Sequence, residues 1–331
     1  MSRSSLTPLR SMEICAGGGG QALGLERAGF EHALLIERNP AACATLRTNR
    51  PSWHVLEEDL REFRPEASSD LWELDLLAGG VPCTPFTIAG LQRGDQDDRD
   101  LFPEVTRLAE ALLPRAIMIE NVANLLQREF EVVHERVRKE LDRLGYRVEW
   151  KLLDAQNFGV PQRRVRSILV ALRPENHKHF QWPIGFSKGQ TVGQVLLDSM
   201  ASRGWPQADE WAAGANEIAP TVVGGSERRG GGDLGPTRTK RIWRRLGVNG
   251  NSIGNEVPGP DFVMRDGVGQ NGWEGLPMLT VPQVALLQGF PPEWEFIGRK
   301  TARYRQVGNA FPPPVAAAVA EQIAAALRAA S

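Results

Sequence analysis

Cys83 has the setting in this sequence that best suits covalent chemistry. It lies in residues 75–90, D-L-L-A-G-G-V-P-C-T-P-F-T-I-A-G, where an apolar run ends at Gly79 and Gly80. That pattern predicts a buried strand followed by a loop. A free cysteine is more often a small buried apolar residue, but Pro82 and the glycines favour a tight path that carries the side chain into a cleft. We therefore predict that Cys83 is a nucleophile.

A carboxyl group follows another apolar run. Residues 116–122, A-I-M-I-E-N-V, predict a buried strand with Glu120 at its end. In an open parallel α/β sheet the carboxyl ends of the strands open on one crevice, so Glu120 is expected at the same edge as Cys83. A glutamate held there suits general acid chemistry. A solvent-exposed glutamate at a strand end is the alternative.

Arginines precede the next apolar strand of the sequence. The turn at residues 159–161 presents Arg163, Arg164 and Arg166. Arg164 and Arg166 share one face of an extended segment. Two guanidinium groups on one face predict a clamp for an anion or a carbonyl oxygen, whereas scattered surface arginines are the alternative.

The N-terminal segment predicts a cofactor site. Residues 11–24 indicate a strand, a glycine turn and the start of a helix, which aims backbone N–H groups at a ligand. The turn satisfies the loose pattern G-x-G-x-x-A with Gly17, Gly19 and Ala22. Glu37 ends a second strand where it can accept hydrogen bonds from a ribose, and Asp59 ends a third strand near an adenine. A nicotinamide, a flavin or S-adenosylmethionine would fit, and an ordinary βαβ unit is the alternative.

Composition narrows the class of protein. The chain has 331 residues, of which 41% are hydrophobic and 24% charged, which is ordinary for a soluble protein of about two domains. Its three cysteines lack metal-ligand spacing and indicate neither a zinc site nor a disulfide framework. We expect a cytoplasmic protein without a metal, a signal peptide or a membrane span. The formal net charge of −1 is compatible with a monomer.

A local basic patch lies in the glycine-rich region beyond residue 173. Its members are Arg228, Arg229, Arg238, Lys240, Arg241, Arg244 and Arg245. A glycine-rich backbone with interleaved arginines can follow phosphates and approach a groove closely. A solvated loop is the alternative.

Together these motifs resemble the bacterial cytosine-5 DNA methyltransferases over nearly the whole chain apart from about residues 176–275. The resemblance is carried, in order along the chain, by the glycine loop at 15–20, G-G-V-P-C-T-P-F-T, E-N-V, Q-R-R-V-R, L-L-Q-G-F-P and G-N-A-F-P-P-P-V. It implies an α/β fold with a Rossmann-like S-adenosylmethionine-dependent domain at residues 1–180 and 296–331. A smaller, irregular target-recognition domain is implied at residues 181–295.

The resemblance also implies a role for each reacting residue. Cys83 would attack C6 of a cytosine flipped out of duplex DNA, Glu120 would act at N3, and Arg166 with Arg164 would hold O2. S-adenosylmethionine would be held by Cys15, Ala16, Gly17, Gly19, Gly20, Glu37, Asp59, Pro82 and Asn309. DNA would be contacted by Thr87, Arg228, Arg229, Arg238, Lys240, Arg241 and Arg244. A restriction endonuclease that cuts the same site is a further partner that the resemblance allows.

Departures from the family pattern leave two alternatives open. Cys15 stands where the family usually has phenylalanine, and Thr84 replaces a usual glutamine. P-C-T-P-F-T is also close to the tRNA-modifying branch of the family, but no cysteine follows Cys83 to form that branch's Cys-Phe-Thr tripeptide. A nicotinamide-dependent oxidoreductase would explain the glycine loop and leave Cys83 and Glu120 unexplained.

Overall fold

The computed structural model describes residues 8–66, 71–72, 74–82, 100–186, 189–224, 232–265 and 272–330. Four predicted site residues lie outside these ranges: Cys83, Thr87, Arg228 and Arg229. The chain divides into two compact units. The first unit comprises Met1–Leu153, Val165–Ile184 and Val315–Ser331, and the second comprises Asp154–Arg164 and Gly185–Pro314.

A seven-stranded sheet forms the centre of the first unit. Its strands are β1 (Leu9–Ile14), β2 (Phe30–Glu37), β3 (Val55–Glu57), β4 (Leu76–Gly80), β5 (Ala116–Val122), β6 (Arg147–Asp154) and β7 (Val165–Leu172). They lie in the order β3-β2-β1-β4-β5-β7-β6. The pairs from β3 to β5 are parallel, and β7 runs antiparallel to β5. The strand order reverses between β1 and β4, which is where an open α/β sheet places a ligand crevice.

The helices flank this sheet or form the second unit. In chain order they are α1 (Gly20–Arg27), α2 (Pro40–Asn49), α3 (Phe102–Leu112), α4 (Glu131–Arg143), α5 (Pro174–His177), α6 (Val192–Ala201), α7 (Ala208–Gly214), α8 (Thr237–Arg245), α9 (Val281–Leu287), α10 (Lys300–Asn309) and α11 (Pro313–Ala329). Helix α3 shows why they pack as they do: Val105, Leu108 and Leu112 recur at helical spacing and are fully buried. The predicted α/β, Rossmann-like fold class is confirmed.

The second unit has helices and irregular segments but no strand among its described residues. Tryptophans fill its interior: Trp205 and Trp211 are buried, and their indole N–H groups donate to Phe262 O at 2.9 Å and Gly247 O at 3.0 Å. Buried indoles whose N–H groups are hydrogen-bonded connect irregular segments of the backbone to one another.

The second unit takes in a segment that precedes the predicted recognition domain, whose bounds stay a prediction. It includes Asp154–Arg164, and the chain returns to the first unit at Val315. The side chains of Gln162 and Arg164 explain why this segment belongs to the second unit, because each binds backbone within the second unit, as described below.

Part of the C-terminal helical segment is as long and as apolar as a membrane-spanning helix. Within the described residues, Lys300–Ala329 reaches the length and hydropathy of a spanning helix. The segment is not one continuous helix, however, because α10 ends at Asn309 and α11 begins at Pro313. In addition, 72% of its most apolar window is buried inside the protein. This is the burial of a core helix.

Candidate functional site

Glu120 and Arg166 form a buried ion pair where β5 ends. Arg166 Nε lies 2.8 Å from Glu120 Oε1, and the two side chains are only 15% and 10% exposed. Because β7 is antiparallel to β5, with Arg166 opposite Val122, the start of β7 lies at the carboxyl end of β5. A carboxyl group and a guanidinium group held this rigidly can bind neighbouring polar atoms of one planar ligand.

Gly80 lies opposite Glu120 in the parallel pair of β4 and β5. A Cβ atom at Gly80 would come within 3.4 Å of Glu120 Oε2, so glycine leaves room for the carboxyl group. Cys83 follows Gly80 by three positions in the sequence and lies outside the described residues. The strand that leads to Cys83 therefore ends beside the predicted acid.

Asn121 is a site residue to which the sequence assigned no role. Its Nδ2 donates to Val81 O at 3.2 Å, and its Oδ1 accepts from Val122 N at 2.8 Å. The side chain is buried and ties the end of β5 to the residue just before Pro82. Its place next to Glu120 in E-N-V was the available signal.

Three residues of the glycine loop between β1 and α1 have the left-handed backbone conformation. Cys15, Gly17 and Gly19 have φ values of 53°, 55° and 88°. Glu37 holds this loop, since its Oε2 accepts from Gly17 N at 2.7 Å and its Oε1 accepts from Asn39 N at 2.8 Å. Ala16 is buried and donates its N–H to Ile36 O at 3.1 Å. The end of β2 thus shapes the loop that the sequence assigned to the cofactor.

The loop has space for a ligand. A Cβ atom at Gly17 would meet nothing nearer than Cys15 O at 4.0 Å. Helix α1 begins at Gly20 and has no side-chain cap on its N-terminus. Open space beside backbone N–H groups suits a polar adenosine-containing ligand, so the residues present fit the predicted cofactor.

A buried polar cluster beneath the loop was missed by the sequence reasoning. Glu13 on β1 is 1% exposed and accepts a hydrogen bond from the Ala22 N–H in the first turn of α1. Burial raises the pKa of this carboxyl group, and the negative charge of Glu37 raises it further. Nearby, His32 contacts Ala22 O through Nε2 and Ser11 Oγ through Nδ1, both at 3.0 Å. These groups support the turn of the loop from below.

The two described cysteines are not reactive thiolates. Burial raises the pKa of Cys43 to about 12 and raises the pKa of Cys15 even further, with Glu37 adding to both shifts. A thiol is a nucleophile only when ionised. Among the residues that the structure describes, no group of three or more histidine, cysteine, aspartate or glutamate side chains could hold a metal ion.

Asp59 lies just beyond β3, as the sequence predicted, but its carboxylate is engaged by arginines. Arg61 donates to it through Nε at 2.9 Å and Nη2 at 2.6 Å, and Arg38 lies 3.6 Å away. These hydrogen bonds, Arg61's above all, hold the pKa of Asp59 far below its usual range. Asp59 is therefore ionised and oriented by arginines, and its contact with an adenine amino group stays a prediction.

Arg164, predicted to share a clamp with Arg166, donates to backbone carbonyl groups in the structure. Its Nη1 donates to Val222 O at 2.7 Å, and its Nη2 donates to Gly308 O and Ala310 O, both at 3.0 Å. The residue is only 1% exposed. Arg164 belongs to the second unit and Arg166 to the first. The guanidinium of Arg164 thus binds protein backbone within the second unit, and its predicted clamp with Arg166 stays a prediction.

Gln162 and Gln288 extend the same buried network within the second unit. Gln162 accepts from Val222 N at 2.9 Å and donates to Gln288 Oε1 at 2.6 Å. Gln288 in turn donates to Val307 O at 2.8 Å. Asn309, predicted to bind cofactor, ends α10 beside Gly224, where any larger residue would collide with its side chain. The network joins the segments that carry Q-R-R-V-R, L-L-Q-G-F-P and G-N-A-F-P.

Helix α8 carries the described part of the basic patch. Arg238, Arg241, Arg244 and Arg245 are exposed, whereas Trp243 is fully buried and anchors the opposite face. Lys240 differs from the others, since its Nζ lies 3.1 Å from Asp233 Oδ2 and its side chain is 18% exposed. The arginines are exposed to solvent, whereas Lys240 is paired with Asp233, and the predicted contacts of all five residues with DNA stay predictions.

Two type II methyltransferases are similar in sequence to this chain. At 49% identity over 320 residues, the chain is similar to the type II methyltransferase M.NaeI of Lentzea aerocolonigenes, with 96% of this chain and 75% of the relative covered. M.NgoMIV of Neisseria gonorrhoeae, also a type II methyltransferase, is 47% identical over 322 residues, with 96% and 98% covered.

Solved structures share the fold. EhMeth of Entamoeba histolytica matches with a TM-score of 0.66 at 14% identity, covering 96% of this chain and 98% of that one. The Dnmt2 methyltransferase of S. pombe matches with a TM-score of 0.64 at 17% identity, covering 96% and 98%. At these identities the likeness concerns the fold alone.

A family model described as C-5 cytosine-specific DNA methylase matches residues 9–325, which include every element of the site above. The oxidoreductase and tRNA alternatives find no support in this match. The chain therefore belongs to the C-5 cytosine-specific DNA methylase family and is a DNA (cytosine-5-)-methyltransferase.

Proposed function

We propose that Cys83, Glu120 and Arg166 carry out the methyl transfer. The observation that carries this assignment is the buried Glu120–Arg166 ion pair next to Gly80, at the end of the strand that leads to Cys83. Cytosine C5 is a weak nucleophile until C6 has accepted an electron pair. An acid and a cation at one edge of the ring can accept the charge that this addition creates.

The proposed sequence of bonds begins at Cys83. Its thiolate forms a bond to C6 of the flipped cytosine, while Glu120 protonates or hydrogen-bonds N3 and Arg166 holds O2. C5 would then form a bond to the methyl group while the bond between that methyl group and the sulfonium sulfur breaks, so that S-adenosylhomocysteine is the leaving group. Loss of the C5 proton to a base and cleavage of the C6–sulfur bond release Cys83 and restore the aromatic ring. Arg164 serves this chemistry by holding backbone in place.

S-adenosylmethionine is the proposed cofactor, and when bound it supplies an electrophilic methyl group. The backbone of the glycine loop from Cys15 to Gly20 would contact the cofactor. Glu37 would hold this loop and contact the ribose. Asp59, Pro82 and Asn309 are proposed to complete the site. The open space beside Gly17 supports this placement.

Duplex DNA is the substrate of this family, and we propose that the exposed arginines of α8, together with Thr87, Arg228 and Arg229, contact it. We also propose a cytoplasmic, monomeric enzyme of a restriction–modification system, accompanied by an endonuclease that cuts the same sequence. Two relatives near half identity that are named type II methyltransferases support this role.

The test is methyl transfer from labelled S-adenosylmethionine to unmethylated duplex DNA, with the wild type beside Cys83→Ala and Glu120→Gln. We expect 5-methylcytosine in DNA from the wild type only. Both variants should retain cofactor binding, because neither residue belongs to the glycine loop. Cys43→Ala is the matched control and should keep full activity. Full activity in Cys83→Ala, or transfer to tRNA alone, would contradict the proposal.

A further inference from the structure

The carboxyl ends of β1, β2 and β3 flank the place proposed for the adenine of the cofactor. None of the residues that follow these strands directly, at positions 15–19, 38–39 and 58–60, is aromatic. Proteins bind a flat base by stacking an aromatic ring or an arginine guanidinium on its face. Arg38 is the one arginine in these three segments. It is therefore the side chain at these strand ends that can stack on an adenine.

Glu37 and Arg38 are adjacent at the end of β2, which is the middle strand of the three. Glu37 accepts a hydrogen bond from Gly17 N at 2.7 Å and is proposed to contact the ribose. Because the base of a nucleoside is bonded directly to its ribose, a ribose at Glu37 brings the base to the neighbouring residues. Asn39, which follows Arg38, is engaged as the N-cap of α2, where its Oδ1 accepts from two backbone N–H groups. Arg38 is thus the neighbour that is placed to contact the base.

Asp59, just beyond β3, attracts one edge of the Arg38 guanidinium. Arg38 Nη1 lies 3.6 Å from Asp59 Oδ2, and the arginine side chain remains 62% exposed. Both oxygens of Asp59 accept hydrogen bonds from Arg61, at 3.1 and 2.9 Å for Oδ1 and at 2.6 Å for Oδ2. Asp59 therefore orients Arg38 through its charge, at a distance longer than a hydrogen bond, and leaves most of the arginine side chain accessible to a ligand.

Arg38 acts on the end of β1 as well. Burial and the negative charge of Glu37 raise the pKa of the Cys15 thiol, and the positive charge of Arg38 opposes this shift. Cys15 is half-buried and begins the glycine loop with a φ of 53°. The guanidinium of Arg38 is therefore close to the ends of both β1 and β3. A ring bound across these three strand ends would meet it.

We propose that the guanidinium of Arg38 stacks on the adenine ring of S-adenosylmethionine, which makes Arg38 a specificity-determining residue for the cofactor. This inference rests on the cofactor proposed above. A guanidinium is planar and delocalised, whereas an ammonium is a compact charge without a flat face. Charge alone would oppose binding, because S-adenosylmethionine carries a net positive charge at neutral pH. A favourable contribution from Arg38 therefore has to come from its flat face.

The test measures the binding of S-adenosylmethionine and of S-adenosylhomocysteine to the full chain by calorimetry. The two ligands share the adenosine, but only the first carries the sulfonium charge. Arg38→Gln removes the charge and the guanidinium, Arg38→Lys keeps the charge alone, and Arg38→Trp supplies a flat ring without a charge. Arg47→Gln is the matched control, because Arg47 is also exposed and also pairs with a carboxylate, that of Glu57 at 3.4 Å.

We expect Arg38→Gln and Arg38→Lys to weaken the binding of both ligands by about threefold to tenfold, the range of a partly exposed cation–π contact. Arg38→Trp and Arg47→Gln should bind both ligands as the wild type does. In methyl transfer, Arg38→Gln should raise the KM for the cofactor and leave kcat unchanged, because stacking on adenine is equal in the ground state and the transition state.

Wild-type affinity in Arg38→Lys would overturn this role, as would an Arg38→Trp variant that binds as weakly as Arg38→Gln. A loss in Arg38→Gln that is confined to one of the two ligands would overturn it too. A wild type that binds neither ligand would refute the proposed cofactor and this role together. A wild type that binds both ligands, with Arg38→Gln unaffected, would refute the role of Arg38 alone and leave the proposed function standing.

Discussion

Replacing Arg164 by alanine separates a structural role from a catalytic one. The substitution removes the donors to Val222 O, Gly308 O and Ala310 O, all in a place where the arginine is 1% exposed. Ala310 O keeps a second donor, Gln288 Nε2 at 3.4 Å. Val222 O and Gly308 O would lose the guanidinium and remain buried.

The size of the effect follows from these contacts. A buried polar group that loses its partner costs about 1–3 kcal/mol, so two carbonyl groups correspond to about 2–6 kcal/mol. Because domains are stable by only about 5–15 kcal/mol, Arg164→Ala should lose a large part of its free energy of unfolding. Water entering the vacated space would bring the loss toward the lower bound.

Urea unfolding measures this loss, and Arg163→Ala is the matched control because Arg163 is the neighbouring residue and is exposed. We expect the control to stay within about 0.5 kcal/mol of the wild type. Methyl transfer is measured on both variants below the urea transition. Unchanged stability with a greatly reduced turnover in Arg164→Ala would refute the structural assignment and return Arg164 to the catalytic clamp.

Three further predictions follow from the described residues. Gly79→Ala would place a Cβ atom 2.7 Å from Ile14 O, so it should lower the free energy of unfolding by about 1–3 kcal/mol in urea titration. Burial lowers the pKa of His32 from 6.5 to about 4, so protons bind preferentially to the unfolded chain between these values. Stability should therefore be complete above pH 6.5 and fall by up to about 1.4 kcal/mol per unit toward pH 4, with His32→Gln lacking this dependence. Replacing Arg238 and Arg241 by glutamine should reduce the salt slope of duplex binding by about 2, and an unchanged slope would remove α8 from the interface.

The sequence pattern was sufficient to predict a strand or helix where the element's own residues are apolar and buried. The apolar run at residues 116–122 predicted β5 with the bounds that the structure has, and the glycine loop was placed correctly between β1 and α1. Strand β6 was missed. Its residues are mostly exposed or half-buried at the edge of the sheet, so the sequence R-V-E-W-K-L-L-D lacks the apolar run of a central strand.

The features that the sequence did not predict depend on contacts between residues far apart in the chain. Arg164 and Arg166 look equivalent in the sequence, yet one binds carbonyl groups at Val222, Gly308 and Ala310 while the other pairs with Glu120. Local sequence indicates neither partner. The antiparallel direction of β7, which brings Arg166 to the end of β5, is likewise a property of the topology and not of the strand's own residues.

The membership of Gln162 and Arg164 in the second unit has a consequence for engineering new sequence specificity. A chimaera that exchanges residues 185–314 with those of a relative would keep the native Gln162 and Arg164 but supply foreign backbone at 222, 308 and 310 and a foreign side chain at 288. Native and foreign residues would then have to form the buried hydrogen bonds together, and any difference in their positions would leave buried polar groups without partners. Exchange within residues 232–265 leaves residues 221–224 and the ends of α9 and α10 native, so it transfers the arginines of α8 without changing that network.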